Sequence, residues 1–198
     1  SYCVCNMRFH PGVMMAHAAR EKIGDLAFVR AHFGHRLSQM RPVGTAVFAA
    51  NADAGGGVVL DCIHEFDYLQ SLLGPLRFVS SQTGTVGPDP IEAEDWARIE
   101  LCNEAEIPVS LDLDFISRRK HRGYELVGSE ASLIWSSLGR APEEVVVELA
   151  SATQSEVLFR ASGLPADDEY AMMLAQVLAS AKGTRGLGVT LQSVSDAA

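Results

Sequence analysis

The sequence predicts an α+β fold in which helices pack on one face of a large, open-faced, mostly antiparallel (mixed) β-sheet. Helical patterns lie at both ends of the chain and once in its middle, and strand patterns linked by hairpin signals fill most of the second half. Several strand patterns alternate apolar with polar residues, as expected for a sheet that buries one face. With 198 residues, of which 47% are hydrophobic and 21% charged, the chain can bury a substantial core.

The first third of the chain has the pattern of a short strand, a helix, a longer strand and a loop. The short strand is predicted at residues 2–6. A helix follows at residues 11–22, because this segment opens with proline and is followed closely by glycine. Residues 26–37 predict a strand, and residues 38–54, which lack a strong periodicity, are interpreted as a loop. One face of the longer strand would carry Ala27, Val29, Ala31 and Phe33.

A run of three glycines introduces the second helix. Residues 55–57 are all glycine and can adopt backbone conformations with positive φ that other residues avoid. The apolar run that follows predicts a helix at residues 58–73, which Gly74 and Pro75 end. Three polar residues recur in this helix at a spacing of three and would share one ridge: Asp61, His64 and Asp67.

Seven further strands are predicted in the second half of the chain. The clearest lies at residues 107–116, where apolar and polar residues alternate. Hairpin connections are expected at residues 103–106 and 128–130. The other strands are predicted at residues 77–86, 95–102, 121–127, 132–136, 144–149 and 157–161.

Two helices are predicted near the end of the chain. The shorter one lies at residues 189–194, after a connecting loop at residues 183–188 whose glycines are not in the order of a dinucleotide-binding fingerprint. The longer one lies at residues 167–181, and its apolar face would consist of Tyr170, Met173, Leu174, Val177 and Leu178.

Composition argues against several classes of function. A net charge of −9 is unsuited to a nucleic-acid partner, because phosphate binding requires a basic surface. No apolar run is long enough to span a membrane. The four cysteines are not spaced as a disulfide framework, which predicts reduced thiols in a cytoplasmic protein. Cys3 and Cys5 alone do not complete a zinc site, so no metal is expected.

The polar ridge of the middle helix is the best candidate for chemistry. Two carboxylates beside an imidazole form a plausible proton-transfer unit, because a carboxylate can orient the ring and adjust its pKa. The alternative is structural: Asp61 would cap the start of the helix and His64 would be a half-buried, hydrogen-bonded histidine. Asp67 and Tyr68 are expected to be structural in either case.

Two segments together resemble a known family. They are Asn6-Met7-Arg8-Phe9-His10-Pro11 and the glycine run followed by Asp61-Cys62-Ile63-His64-Glu65-Phe66-Asp67. The chain resembles the C-terminal domain of the Gfo/Idh/MocA oxidoreductases, the family of glucose–fructose oxidoreductase and inositol dehydrogenase. The resemblance implies that residues 1–198 are a substrate-binding and oligomerisation domain. It also implies that a preceding Rossmann domain, absent from this chain, binds NAD or NADP.

The resemblance also implies roles for particular residues. His64 would be the acid/base at the hydroxyl group of a sugar or cyclic polyol, and Asp61 its orienting carboxylate, although many relatives have three residues between these two positions and this chain has two. Arg8, His10 and Arg41 would border the substrate, although Arg8 equally fits a salt bridge. The family's catalytic lysine would lie in the missing domain, so the fragment alone is expected to be inactive.

Three further expectations concern surfaces. Relatives commonly associate through the open face of the sheet, so a homo-oligomer is expected. The basic run at residues 118–122 is either an anion site or a solvated strand end. The whole chain is alternatively a non-catalytic binding or oligomerisation module on the same fold. The open face would carry Arg98, Glu100, Ser110, Asp112 and Asp114.

Overall fold

The structure is a computed structural model that describes residues 5–41, 47–139, 143–164 and 166–181. Within these ranges the chain forms an α+β domain, as the sequence predicts. The helices are α1 (Pro11–Ala19), α2 (Leu37–Met40), α3 (Val47–Ala50), α4 (Val58–Asp61), α5 (Ile63–Leu73) and α6 (Ala166–Ala181), with 3₁₀ turns at Asn6–Phe9 and Arg20–Ile23. The strands are β1 (Leu26–Gly34), β2 (Leu76–Gly84), β3 (Trp96–Asn103), β4 (Pro108–Asp114), β5 (His121–Gly128), β6 (Ser132–Leu138), β7 (Glu144–Ala150) and β8 (Ser155–Ser162).

The eight strands form one sheet in the order β2-β3-β4-β1-β5-β6-β7-β8. Neighbouring strands are antiparallel except for β1 and β4, which are parallel. The mostly antiparallel, mixed sheet expected from the sequence is therefore confirmed. Consecutive strands from β2 to β4 and from β5 to β8 pair with one another, and β1 inserts between these two groups.

The sheet is buried on one side. The covered face, which includes Val29, Ala31 and Phe33 of β1, lies under α1, α4 and α5. The open face, which includes Phe28, Arg30 and His32, has no helix against it among the described residues. Strand register places the five residues expected from the sequence on that face, where Arg98 and Asp112 form an exposed ion pair.

Three helices and one strand differ from the sequence-based prediction. The strand predicted to reach residue 37 ends at Gly34, and Leu37 begins α2. Part of the predicted loop at residues 38–54 is helical, as α2 and α3. The single helix predicted at residues 58–73 is interrupted at Cys62, whose φ of −98° and ψ of 30° separate α4 from α5.

A bulge explains one misplaced side chain. Register shifts between Leu26 and Phe28, so that Leu26 is buried and Ala27, which was expected on the covered face, is exposed. An extra residue reverses the alternation of faces at this point. Sequence periodicity alone does not reveal such a shift.

The last described helix packs less tightly than its pattern suggests. Its apolar face was expected to be buried, but Tyr170, Leu174 and Leu178 are each about half exposed. Among the described residues, α6 makes its main contact with the 3₁₀ turn at Asn6–Phe9, in which Asn6 Nδ2 donates to Glu169 Oε2 at 2.8 Å. The helix predicted at residues 189–194, the loop at 183–188 and residues 2–4 of the first predicted strand lie outside the described residues, and Asn6 begins a 3₁₀ turn instead.

None of the helices in the described ranges is long and apolar enough to cross a membrane.

Candidate functional site

The glycine run shapes the entrance to the motif helices. Gly57 has a φ of +116°, and a Cβ atom there would overlap the carboxylate of Glu94. Glu94 in turn accepts hydrogen bonds on its backbone oxygen from Val58 N, at 3.0 Å, and on Oε1 from Val59 N, at 3.2 Å. Glycine is thus required both by the backbone conformation and by the closeness of Glu94.

The three carboxylates of the motif are each held by an arginine from a distant segment. Arg41 Nη2 donates to Asp61 Oδ1 at 2.6 Å. Arg122 Nε donates to Glu65 Oε1 at 2.7 Å. Arg8 binds Asp67 through two hydrogen bonds, of 2.7 Å from Nη2 to Oδ1 and 2.8 Å from Nε to Oδ2. The side chains of the three acids are at most 10% exposed. These ion pairs fix the motif helices to the rest of the domain.

His64 lies near these ion pairs but takes part in none of them. Its Nδ1 is buried and has no hydrogen-bond partner among the described residues. Burial lowers the pKa of the imidazole, and although Glu65 opposes this effect and Arg122 supports it, the net shift is downward. His64 is therefore mainly neutral near pH 7 and can accept a proton. The carboxylates act on it through space and do not bond to the ring.

Asp61 and Arg41, two residues predicted separately, are brought together. Their ion pair places the Arg41 side chain, which is 35% exposed, beside the motif helices. Asp61 ends α4 rather than capping its start. Residues 42–46, which follow Arg41, lie outside the described ranges.

Arg8 and His10 are each engaged by other groups of the domain. Arg8 is engaged by Asp67, as the salt-bridge alternative anticipated. His10 is buried, its Nδ1 accepts a hydrogen bond from Gly12 N at 3.0 Å at the start of α1, and its ring lies 4.7 Å from that of Trp135. Burial, followed by Arg122 and Lys120, lowers the pKa of His10 to about 3. A contact of either residue with substrate stays a prediction.

The basic run at residues 118–122 does not form one surface. Arg122 points to the covered face and binds Glu65, while Lys120 pairs with Glu143. His121 Nε2 lies 3.1 Å from Ser117 Oγ on the open face. Arg118 and Arg119 are exposed. Alternation along β5 sends His121 and Arg122 to opposite faces, and Lys120 is bound to Glu143, so these side chains do not converge on one anion.

The pair of Glu65 and Arg122 is the main feature that the sequence analysis missed. The only local signal is an acidic residue in an apolar stretch next to His64, and its partner lies 57 residues away. Tyr68, expected to be structural, is fully buried, and its hydroxyl lacks a partner among the described residues.

An apolar cleft of about 380 Å³ lies between α4, α5, the edge strand β2 and its neighbour β3. Its lining includes Val59, Ile63, Phe66 and Phe78, and includes neither Asp61 nor His64. No group of three or more His, Cys, Asp or Glu side chains in the described ranges could hold a metal ion.

Comparison with known proteins identifies related folds. A family model described as the GFO/IDH/MocA C-terminal domain matches residues 14–134. No curated protein sequence matches the chain. Similar solved structures include KijD10, a 3-ketoreductase from Actinomadura kijaniata in complex with NADP and TDP-benzene, at 21% identity and a TM-score of 0.74. They also include levoglucosan dehydrogenase with NADH and levoglucosan, at 18% and 0.74, and an oxidoreductase from Agrobacterium radiobacter with NAD+, L-tartaric acid and magnesium, at 14% and 0.73.

These structural matches cover 98% of this chain, or 99% for levoglucosan dehydrogenase. The chain spans only 58% of the length of the first and third proteins and 61% of the second. At such low identities the likeness shows a shared fold.

Proposed function

The chain belongs to the Gfo/Idh/MocA oxidoreductases through their C-terminal domain, and from this premise we propose that it supplies the substrate pocket of an NAD(P)-dependent enzyme. The substrate is the hydroxyl group of a sugar or cyclic polyol. His64 is the acid/base. The observation that carries this proposal is a partly exposed imidazole whose pKa is lowered by burial and whose three acidic neighbours are each bound by an arginine.

His64 removes the hydroxyl proton as the carbon is oxidised. A base must take this proton when hydride leaves the carbon, and the depressed pKa of His64 favours the proton-free form that does so. Asp61 assists indirectly: it holds the partly exposed side chain of Arg41 beside the motif, where the guanidinium can donate to a substrate oxygen.

The nicotinamide cofactor, NAD or NADP, accepts the hydride when bound. The described residues do not form its site, because the glycine run follows helix α3 rather than a strand and the sheet has one parallel strand pair. A preceding Rossmann domain is proposed to bind it. Two structurally similar proteins support a nicotinamide cofactor, since KijD10 was solved with NADP and TDP-benzene and levoglucosan dehydrogenase with NADH and levoglucosan.

Replacing His64 tests the proposal. In the protein that includes the nucleotide-binding domain, His64→Ala should lower kcat at least about 100-fold, the scale of acid/base catalysis. His17→Gln is the matched control, because His17 is half-exposed on α1 and contacts Ser71. Turnover would be followed through the reduced nicotinamide. Near-normal activity of His64→Ala would refute the assignment, and the 198-residue chain alone should be inactive.

A non-catalytic binding or oligomerisation module is the second candidate. It is favoured by the ion pairs, because all three motif carboxylates already have structural partners. The coding sequence upstream separates the two candidates. A Gly-x-Gly-x-x-Gly strand–helix start followed by Glu-Lys-Pro favours the enzyme, and their absence from a complete gene favours the module.

The protein is further proposed to form a homo-oligomer through the open face and to reside in the cytoplasm. The first proposal is supported by the uncovered sheet face, and the second by free thiols such as Cys62 and Cys102.

A further inference from the structure

We propose that Glu65 and Arg122 form a positioning pair that holds His64 in its working orientation. This inference rests on the proposed role of His64 as acid/base. Neither residue touches the reacting atoms in this scheme. They act through the first turn of α5, to which both His64 and Glu65 belong.

Arg122 contacts three side chains, one of which is Glu65. Arg122 on β5 donates from Nε to Glu65 Oε1 at 2.7 Å, its Nη1 lies 3.3 Å from Met7 Sδ, and its guanidinium carbon lies 4.6 Å from the centre of the Phe33 ring. The Glu65 side chain is 0% exposed and that of Arg122 is 14% exposed. The guanidinium thus binds one carboxylate oxygen of Glu65, while Oε2 of Glu65 has no partner among the described residues. Because Glu65 follows His64 directly, the backbone of His64 is fixed relative to the sheet.

Stability alone does not account for the pair. A buried ion pair loses so much hydration that apolar residues of similar volume often stabilise a protein equally well or better. The pair lies on the covered face, beside buried Phe33 and Tyr124. A polar pair in such surroundings is consistent with a specific function.

The pair also sets the charge around the imidazole. Burial is the largest cause of its low pKa, and next to it Glu65 raises and Arg122 lowers the pKa of His64. The other charged groups near the ring, Asp61 and Asp67, are bound by Arg41 and Arg8. Removing the charge of Glu65 should therefore lower the pKa of His64, and removing the charge of Arg122 should raise it.

Titration of His64 followed by NMR in the 198-residue chain tests this inference. Glu65→Gln should lower the pKa of His64 and Arg122→Met should raise it, each by about half a unit or more. The double variant Glu65→Leu/Arg122→Met should remain folded with an equal or higher Tm, yet its His64 resonance should shift because the first turn of α5 is no longer tied to β5. Arg98→Gln, on the open face, is the control and should leave the pKa and the resonance of His64 unchanged.

An unchanged His64 resonance and pKa in the folded double variant would overturn the inference. So would failure of that variant to fold, because the pair would then serve the fold rather than His64. In the complete enzyme the double variant should lower kcat about 100-fold, the cost of a displaced catalytic group, with KM changed far less. If His64→Ala keeps full activity, the proposed function fails while the NMR coupling can still hold. If His64→Ala loses activity but the double variant keeps the kcat of the wild type, the positioning inference fails and the proposed role of His64 stands.

Discussion

At the scale of single residues, His10 shows how tertiary contacts redefine a side chain. The family resemblance implies a substrate contact, which stays a prediction, and the structure adds a capping hydrogen bond and a tilted ring contact with Trp135. Nδ1 can accept from Gly12 N only when it carries no proton. Protonation would therefore break the capping hydrogen bond and would also place an unfavourable positive charge in the interior.

His10 should make the domain sensitive to acid. The pKa of His10 falls from 6.5 to about 3 on folding, so between these values the unfolded chain binds a proton that the folded chain does not. The free energy of unfolding should therefore decrease as the pH falls through this range, by about 1.4 kcal/mol per pH unit. Urea unfolding at several pH values would measure the slope.

His10→Asn is the control for this effect, because asparagine can still cap α1 but does not titrate. The free energy of unfolding of His10→Asn, relative to that of the wild type, should increase as the pH falls. Identical pH slopes for the two proteins would contradict the prediction.

Substitutions at Gly55 and Gly57 allow the cost of backbone strain to be compared with the cost of a close contact. Gly55→Ala should cost about 1–2 kcal/mol, the penalty of a left-handed conformation at φ +77° with no atom within 4 Å of the new Cβ. Gly57→Ala adds an overlap with Glu94, and should cost about 3 kcal/mol or more. Thermal unfolding of both variants would measure the difference, and equal losses would show that Glu94 yields without cost.

At the scale of elements, the local sequence pattern predicts where strands occur, but it does not predict bulges or breaks. The seven strands predicted in the second half are all present within a few residues of their predicted ends. Alternation identifies them because each buries one face. The bulge after Leu26 and the break at Cys62 depend on neighbouring elements and have no such signal.

The contact between α5 and the 3₁₀ turn at Asn6–Phe9 depends on a buried ion pair. Asp67→Asn should destabilise the domain by about 3 kcal/mol, because it leaves the mostly buried Arg8 guanidinium without its carboxylate. Arg98→Gln is the matched control: its pair with Asp112 has the same 2.7 Å separation but both side chains are more than half exposed, so the loss should stay under about 1 kcal/mol. Similar losses from both variants in chemical denaturation would contradict this dependence on burial.

At the scale of the whole molecule, the sheet has one covered and one open face. The open face mixes ion pairs such as Arg30–Glu125 with apolar residues such as Val146. A face of this kind suits an interface that is more polar than a core.

Oligomerisation through this face is open to measurement. Light scattering should give at least twice the 21.3 kDa of the chain. Val146→Glu should reduce the mass to that of one chain, because it introduces a buried charge at the interface. Val86→Glu, at a loop position 72% exposed, should not. A single-chain mass for the wild type would exclude the open face as a stable interface.

The sequence alone determined the fold class, the strands, the glycine turn and the position of His64, because these features depend on neighbours within a few residues along the chain. Only the tertiary structure decided what surrounds that histidine. Its three acidic neighbours could have oriented the ring, yet each binds an arginine 20, 57 or 59 residues away. Those partners meet because β1 inserts between β4 and β5 and the helices close over one face. The ion pairs form where the fold brings a helix against a turn, a loop or a strand that carries the opposite charge, and no local spacing encodes that meeting.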